Sequence, residues 1–483
     1  MNCHSELKRE LLNTQNFCTN YAFQITRKAI RPCYTLVMEN FILRNAQLVN
    51  EGKLEFTDIL IKNGRIERIR PVINSGRLRV TEMNSEKLHL FPGLIDDQVH
   101  FREPGLTHKG DIFHESRAAA AGGITSFMEM PNTIPNALSQ EILAEKYQIA
   151  KETSLVNYSF YMGVSNTNSE EVLKTDLSQV CGVKIFLGSS TGNMLVDSPE
   201  TLEKIFTESQ GLIAVHCEDE QTIAENLQQA KEKYGNKIPA WEHANIRSTQ
   251  ACYISSSNAV ALAKKHNTRL HILHISTARE LALFDKNLPV AAKRITAEAC
   301  IHHLWFNQND YERLGNRLKW NPSVKTEEDR KALLSGLLDG SIDVIATDHA
   351  PHLLEEKDRP YLEASSGGPM VQHALVALLE LVHRGEFTLE GIAQKTAHNV
   401  AECFKIADRG YIREGYKADL VLVDMHNAWK VSPDNILYKC AWSPMENQEF
   451  QSKISSTFIN GVLVYNSGEV LERSAAERIN FNR

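Results

Sequence analysis

Five residues able to hold a metal or move a proton recur at one kind of place in this sequence, the end of an apolar, strand-like run. His100 follows LHLFPGLID, Lys184 lies within GVKIFLG, His216 closes LIAVH, His274 closes LHILH, and Asp348 closes IDVIATD. Alone, each has an ordinary structural explanation. A lysine in such a run either snorkels to the strand end or becomes a neutral amine, because burial penalises the ammonium. A neutral amine can react with carbon dioxide to form a carbamate, an anionic ligand able to bridge two metals. An aspartate ending an apolar run is costly unless it meets a metal, a cation or hydrogen bonds. Together, imidazoles and a carboxylate at five strand ends read as a hard-metal or zinc site. His271 stands three residues before His274, so regular alternation would turn it to the opposite face as packing.

Other polar groups gather at the same ends. Arg102 and Asn132 follow the first two runs, and His352 follows Asp348 after a proline turn. Arginine presents a planar fork suited to a carboxylate, and asparagine adds two donors. Asn321, in KWNPSVK, follows the seventh run. Glu355 to Pro369 is polar and glycine-rich, and reads either as a loop over the site or as a solvated connection.

The elements that must position these residues alternate. Eight strand-like runs (LHLFPGLID, ITSFMEM, NYSFYMG, GVKIFLG, LIAVHCE, LHILHIS, AKRITAEA, IDVIATDH) are separated mostly by helix-like stretches such as ALSQEILAEKYQIAK. The third gap is weakest, with only SEEVLKT. Apolar strands alternating with amphipathic helices predict a parallel sheet covered on both faces. Eight units predict an α/β fold, a (β/α)8 TIM-like barrel, whose functional residues meet at the C-terminal ends of the strands. An open doubly wound sheet is the alternative, without a G-x-G-x-x-G fingerprint to support it. Residues 40–83, with the hairpin dipeptide Asn63-Gly64, and the chain from about Ala418, with Asn460-Gly461, read as short strands and turns. They predict a small β-sandwich domain built from both chain ends. The expected organisation is an N-terminal extension over 1–37, sandwich over 38–90, barrel over 91–412 and sandwich over 413–483.

Bulk properties exclude several functions. The net charge of −7 over 483 residues argues against a general nucleic-acid binder, which needs clustered cations. No apolar run approaches the roughly 20 residues of a membrane helix. Nine scattered cysteines without a C-x-x-C pair predict reduced thiols and a cytoplasmic protein. The first 37 residues lack the apolar core of a secretory signal.

The pieces FPGLIDDQVHFREPG, AAAAGGITSFMEMPNT, VKIFLGSSTGNM, AVHCED, LHILHIST, ITAEACIHHL, NPSVK and ATDHAPH resemble the dihydroorotases of the amidohydrolase superfamily, over about Asn40 to Tyr465. The resemblance implies a metal-dependent barrel with a composite β domain. It implies reversible hydrolysis of dihydroorotate to N-carbamoyl-aspartate, the ring-closing step of pyrimidine synthesis. It also implies zinc, one or two ions, with His216 and His274 on one and His100 and Asp348 on the other. N6-carboxylated Lys184 would lie between them. Asp348 would be the proton carrier. Arg102, Asn132 and His352 would grip the substrate carboxylate, and Asn321 and the backbone near Gly367 and Gly368 would contact the ring. A homo-oligomer, and association with aspartate transcarbamoylase, follow from the same resemblance.

One position departs from the pattern. The superfamily has H-x-H after the first strand; here it is Gln98-Val99-His100. A neutral amide oxygen is a weaker ligand than imidazole. Either Gln98 coordinates through oxygen, or Asp96 or Asp97 compensates, or the first-strand metal binds weakly. Two alternative functions follow: a non-catalytic scaffold for aspartate transcarbamoylase, and a hydantoinase- or allantoinase-type hydrolase of neutral ureides.

Overall fold

A computed structural model describes residues 39–76, 78–188 and 194–483; the expected N-terminal extension over 1–37 lies outside them. Eight parallel strands run in ring order: β1 (Leu94–Val99), β2 (Ile124–Glu129), β3 (Asn157–Gly163), β4 (Gly182–Phe186), β5 (Leu212–His216), β6 (Arg269–Ile272), β7 (Ile295–Cys300) and β8 (Val344–Ala346). Chain just past β8 closes the ring: Val99 pairs in parallel with His349, and the His100 amide donates to His349 O at 2.7 Å. Asp96 stitches the same seam, accepting from the Thr347 hydroxyl at 2.5 Å and the Thr347 amide at 3.2 Å. Closure rules out the open sheet.

Local chemistry explains the helices between strands. Asp111, Ser139, Ser198, Asp219, Ser248 and Thr326 each cap one by accepting a backbone N–H of its first turn. The third gap holds only the five-residue helix Ser169–Leu173. Apolar side chains on the outer faces of the strands pack under these helices.

The run LHLFPGLID divides at Gly93. Leu88–Pro92 belongs to the second sheet, and β1 begins at Leu94. A Cβ at Gly93 would stand 2.2 Å from the Thr125 side chain, so only glycine lets the chain pass there. The second sheet has nine strands and both chain ends contribute. Arg65–Arg70, Lys53–Lys62, Phe41–Asn50, Leu88–Pro92, Leu420–Asp424, Lys453–Ile459, Val462–Asn466 and Glu469–Val470 follow in spatial order, with Thr81–Asn84 added beside Phe41–Asn50. Its core includes Leu43, Ile59, Ile66, Leu90, Leu420 and Phe458.

The last residues leave that sheet for the barrel floor. Arg478 bridges to Tyr158 of β3, and Ile479 and Phe481 join Ile95, Met128, Tyr161, Leu212 and Phe404 in one apolar cluster. The Arg483 guanidinium donates to the carbonyls of Leu177, Val180 and Phe404 at 3.0–3.2 Å. The six described cysteines are buried and unpaired. No helix among the described residues is long and apolar enough to cross a membrane. If the tail is part of the core, Phe481→Ala should cost about 3 kcal/mol of stability, read as a lower urea midpoint. An unchanged midpoint would show that the floor holds without it.

Candidate active site

Three backbone irregularities aim the side chains at the C-terminal mouth of the barrel. First, β1 carries an extra residue between Asp96 and Val99, whose partners on β2 are Phe127 and Glu129. This bulge breaks alternation. Gln98 reaches Asp348 at the mouth, and Asp97 reaches His271 on β6, which is not its neighbour in the ring. Adjacent residues thus both point inward. Second, His274 and Asp348 adopt left-handed φ of 41° and 46° just past β6 and β8. Third, Arg102 does so at 71°, a conformation a long side chain rarely adopts. The left-handed turn at His274 also explains why His271 is not packing on the outer face. It too lies inside the ring, bonded to Asp97 at 3.1 Å.

The cleft, about 470 Å³ with its mouth open to solvent included, is lined by Gln98, His100, Arg102, Asn132, Lys184, Phe186, His216, His274, Trp320, Asn321, Asp348, Ala350, Ser366 and Gly367. On one side, His216 Nδ1 and His274 Nε2 stand 3.0 Å apart. His216 Nε2 lies 3.2 Å from Glu218 Oε2, the carboxylate–histidine pairing that orients a ligating imidazole. Burial pulls Glu218 up, but Arg247 and His216 outweigh it and hold its carboxyl down at about 2. Burial also depresses His216, and together with His216 and Lys184 it pushes His274 well below the usual imidazole range. Both rings are therefore neutral, the ligating form. His100 Nδ1 is 2.7 Å from Asn132 Oδ1 and its Nε2 is 3.2 Å from Asp348 Oδ1. With Nδ1–H donating to Asn132, the bare Nε2 faces a carboxylate oxygen, an arrangement suited to a shared cation.

Lys184 is the clearest sign. It is 1% exposed, and its Nζ has no hydrogen-bond partner. Burial drags it down to about 7. A neutral amine beside two imidazoles and opposite an aspartate fits a site for one or two zinc-like ions.

On the other side, Arg102 is buried. Its Nε donates to Pro351 O at 3.1 Å and its Nη2 to His352 Nε2 at 3.0 Å. No carboxylate forms an ion pair with it among the described residues. Burial pulls its guanidinium down to about 10. Behind His352, Nδ1 lies 3.4 Å from Glu356 Oε2, and Lys109 Nζ stands 3.1 Å from the same Nδ1 and 3.2 Å from Glu356 Oε1. The segment Glu355 to Pro369 is a fixed wall. The Lys357 ammonium donates to the carbonyls of Lys319, Ser365 and Gly367, and Lys319 to those of Tyr361 and Ala364, all within 3.0 Å. At Gly367, φ is 117° and a Cβ would meet Ala350 at 2.7 Å.

Most residues expected from the sequence converge here: Gln98, His100, Arg102, Asn132, Lys184, His216, His274, Asn321 and Asp348 all line the cleft. His352 stands behind Arg102 rather than on the surface. Gly368 packs on Trp320, which a Cβ would meet at 2.4 Å, and Gly367 and Ser366 line the cleft in its place. Neither Asp96 nor Asp97 enters it. Lys109, Glu356, Phe186 and Trp320 were not foreseen; the first two carry only a weak signal, charges near the FREPG and DHAPH turns.

A closed parallel barrel with imidazoles, a buried lysine and an aspartate at its mouth defines a hydrolase of the metal-dependent barrel class. Residues 89–464 match the amidohydrolase family. The chain is 34% identical to the dihydroorotase of Listeria monocytogenes over 439 residues, 89% of this chain and 100% of the relative. It is 30% identical to that of Methanosphaera stadtmanae over 434 residues, 90% and 98% respectively. Its fold is similar to that of the L-hydantoinase (dihydropyrimidinase) from Arthrobacter aurescens, with a TM-score of 0.87 and 25% identity, covering 92% of this chain and 100% of that one. The chain belongs to the amidohydrolase family, and it is an enzyme that hydrolyses cyclic amides.

Because the site buries an amine with no hydrogen-bond partner, Lys184→Met should stabilise stripped protein by about 1–3 kcal/mol while removing activity. Melting of chelator-treated wild type and variant checks this; equal melting would mean that Lys184 is satisfied without metal.

Proposed function

We propose that the enzyme is a dihydroorotase, converting (S)-dihydroorotate reversibly to N-carbamoyl-L-aspartate in pyrimidine biosynthesis. The observation that carries this reading is Arg102, buried in the cleft wall with no carboxylate partner among the described residues. Such a guanidinium calls for an anion from outside. Dihydroorotate brings a ring carboxylate; hydantoin does not. The dihydroorotase relatives support the same substrate, and the hydantoinase likeness supports the fold alone.

In this reading His216, His274, His100, Asp348 and a carboxylated Lys184 would hold one or two zinc ions, which would lower the pKa of water and polarise an amide carbonyl. The remaining work falls to the chain. Arg102 takes the substrate carboxylate, held in place by Pro351 O and His352, with Asn132 beside it. Asn321 Oδ1, which has no partner, accepts a ring N–H. Phe186 and Trp320 close the sides against water. This grip presents the amide to one face of the site. Asp348 takes the proton of the attacking water and returns it to the leaving ring nitrogen, which requires its carboxylate within hydrogen-bond reach of both. Gln98 Nε2, 3.2 Å from Asp348 Oδ1, steadies that carboxylate in place of a ligand imidazole.

The test compares zinc-loaded protein on dihydroorotate and on hydantoin. Strong preference for dihydroorotate is expected, and Asp348→Asn should abolish it while the fold survives. Arg102→Met should cut kcat/KM for dihydroorotate about 100-fold and collapse the preference. Absence of turnover would instead support a scaffold, and preference for hydantoin a neutral-ureide hydrolase. Gln98→His should tighten binding of the second zinc, measured by competition with a chelating dye; unchanged affinity would clear Gln98 as the weak point.

A further inference from the structure

Beneath the cleft, inside the ring of strands, Asp97 of β1, His271 of β6 and Glu298 of β7 meet with no exposed surface. His271 Nε2 stands 3.1 Å from Asp97 Oδ2 and 3.7 Å from Glu298 Oε2, and one donor atom from each residue falls within 4.8 Å of the others. Donors about 2.1 Å from a zinc-sized ion at tetrahedral angles lie about 3.4 Å from each other, so these spacings bracket the requirement. The surroundings also suit an ion. His271 Nδ1 is 2.7 Å from Thr296 Oγ1, an outer partner that fixes the ring and turns Nε2 toward the carboxylates. Glu298 Oε1 accepts the His274 backbone N–H at 2.8 Å, leaving Oε2 to the cluster.

Apart from His271, which faces two carboxylates at once, the cluster holds no group able to carry positive charge. Asp97 Oδ1 and Glu298 Oε2 are buried without a hydrogen-bond partner. Among the described residues no lysine or arginine forms an ion pair with either carboxylate. Leaving such oxygens dry and unmatched is costly. The third ligand is present only because the β1 bulge turns Asp97 inward along with Gln98; a regular strand would send one of the two outward.

We infer that Asp97, His271 and Glu298 form a divalent-cation site separate from the cleft, taking zinc or an ion of similar size and hardness. The ion braces β1 against β6 and β7 directly below Gln98 and His274. Because the site is sealed, the ion enters as the chain folds and exchanges more slowly than one bound at the open cleft. The inference is independent of which cyclic amide the enzyme hydrolyses, since its test reads metal and not turnover.

The chain is expressed in zinc-supplemented medium, and zinc per chain is measured after chelator treatment. The double variant His216→Ala, His274→Ala, which keeps only His100, Lys184 and Asp348 of the cleft ligands, should retain a chelator-resistant zinc and lose it when Asp97→Asn is added. Crystals of zinc-grown wild type should show an anomalous peak at the zinc edge between Asp97 Oδ2, His271 Nε2 and Glu298 Oε2. That measurement stands even if a variant fails to fold. The proposal is overturned by a wild-type map with no peak there, His271 then serving as a protonated bridge between the acids, or by a folded double variant that carries no zinc.

Discussion

Charge placed inside a closed ring of strands has to be matched inside it, because side chains and not water fill the space. The protein obeys this almost everywhere. Lys146 meets Glu129 at 3.0 Å and Lys293 meets Asp343 at 2.6 Å, while Lys319 and Lys357 spend their ammonium groups on loop carbonyls. Against that background the two exceptions at the mouth carry meaning. Lys184 has no hydrogen-bond partner, only the face of the Phe186 ring 4.5 Å away, and Arg102 has no carboxylate. A chain that matches its other buried lysines and leaves these two basic groups open has left them for groups that arrive from outside.

Keeping such groups aimed requires backbone that regular strands cannot supply. The bulge in β1 and the left-handed residues Arg102, His274 and Asp348 each cost on the order of 1–3 kcal/mol. They persist because the ring around them is over-determined. The His100 amide is tied to His349, Asp96 to Thr347, and the His274 amide to Glu298. The same hydrogen bonds that close the barrel therefore hold the functional residues in strained positions.

This division also explains what the sequence disclosed. Runs such as LIAVH and VIA are buried throughout, so their apolar continuity announces a parallel barrel, and a His, Lys or Asp at their ends announces the mouth. Register is another matter. Alternation predicts that Asp97 and Gln98 diverge and that His271 opposes His274, and the bulge and one positive φ reverse both. The division of LHLFPGLID at Gly93 depends on Thr125, thirty-odd residues away in a neighbouring strand. Nothing in the sequence singles out Lys319 or Lys357, because the carbonyls they cap belong to a distant loop or to the loop's own far end. Lys109 and Glu356 escape notice for the same reason: nearly 250 residues apart in sequence, they meet each other and His352 only in the fold. Local pattern carries the elements; contacts made across the fold carry the rest.

Gln98 shows the limit most sharply. By residue type it is a missing imidazole, a defect in a metal site. In the fold its amide makes two contacts. Nε2 donates to Asp348 Oδ1, and Oε1 lies 3.7 Å from the Cys300 thiol. The contacts from Gln98 and from His100 both fall on Oδ1 of Asp348. In the proposed reaction this leaves Oδ2 as the oxygen that carries the proton. The substitution then exchanges ligand strength at the first strand for a fixed Asp348. That trade is tolerable only if the firm metal contacts lie on the opposite side of the cleft, where His216, His274 and Lys184 stand.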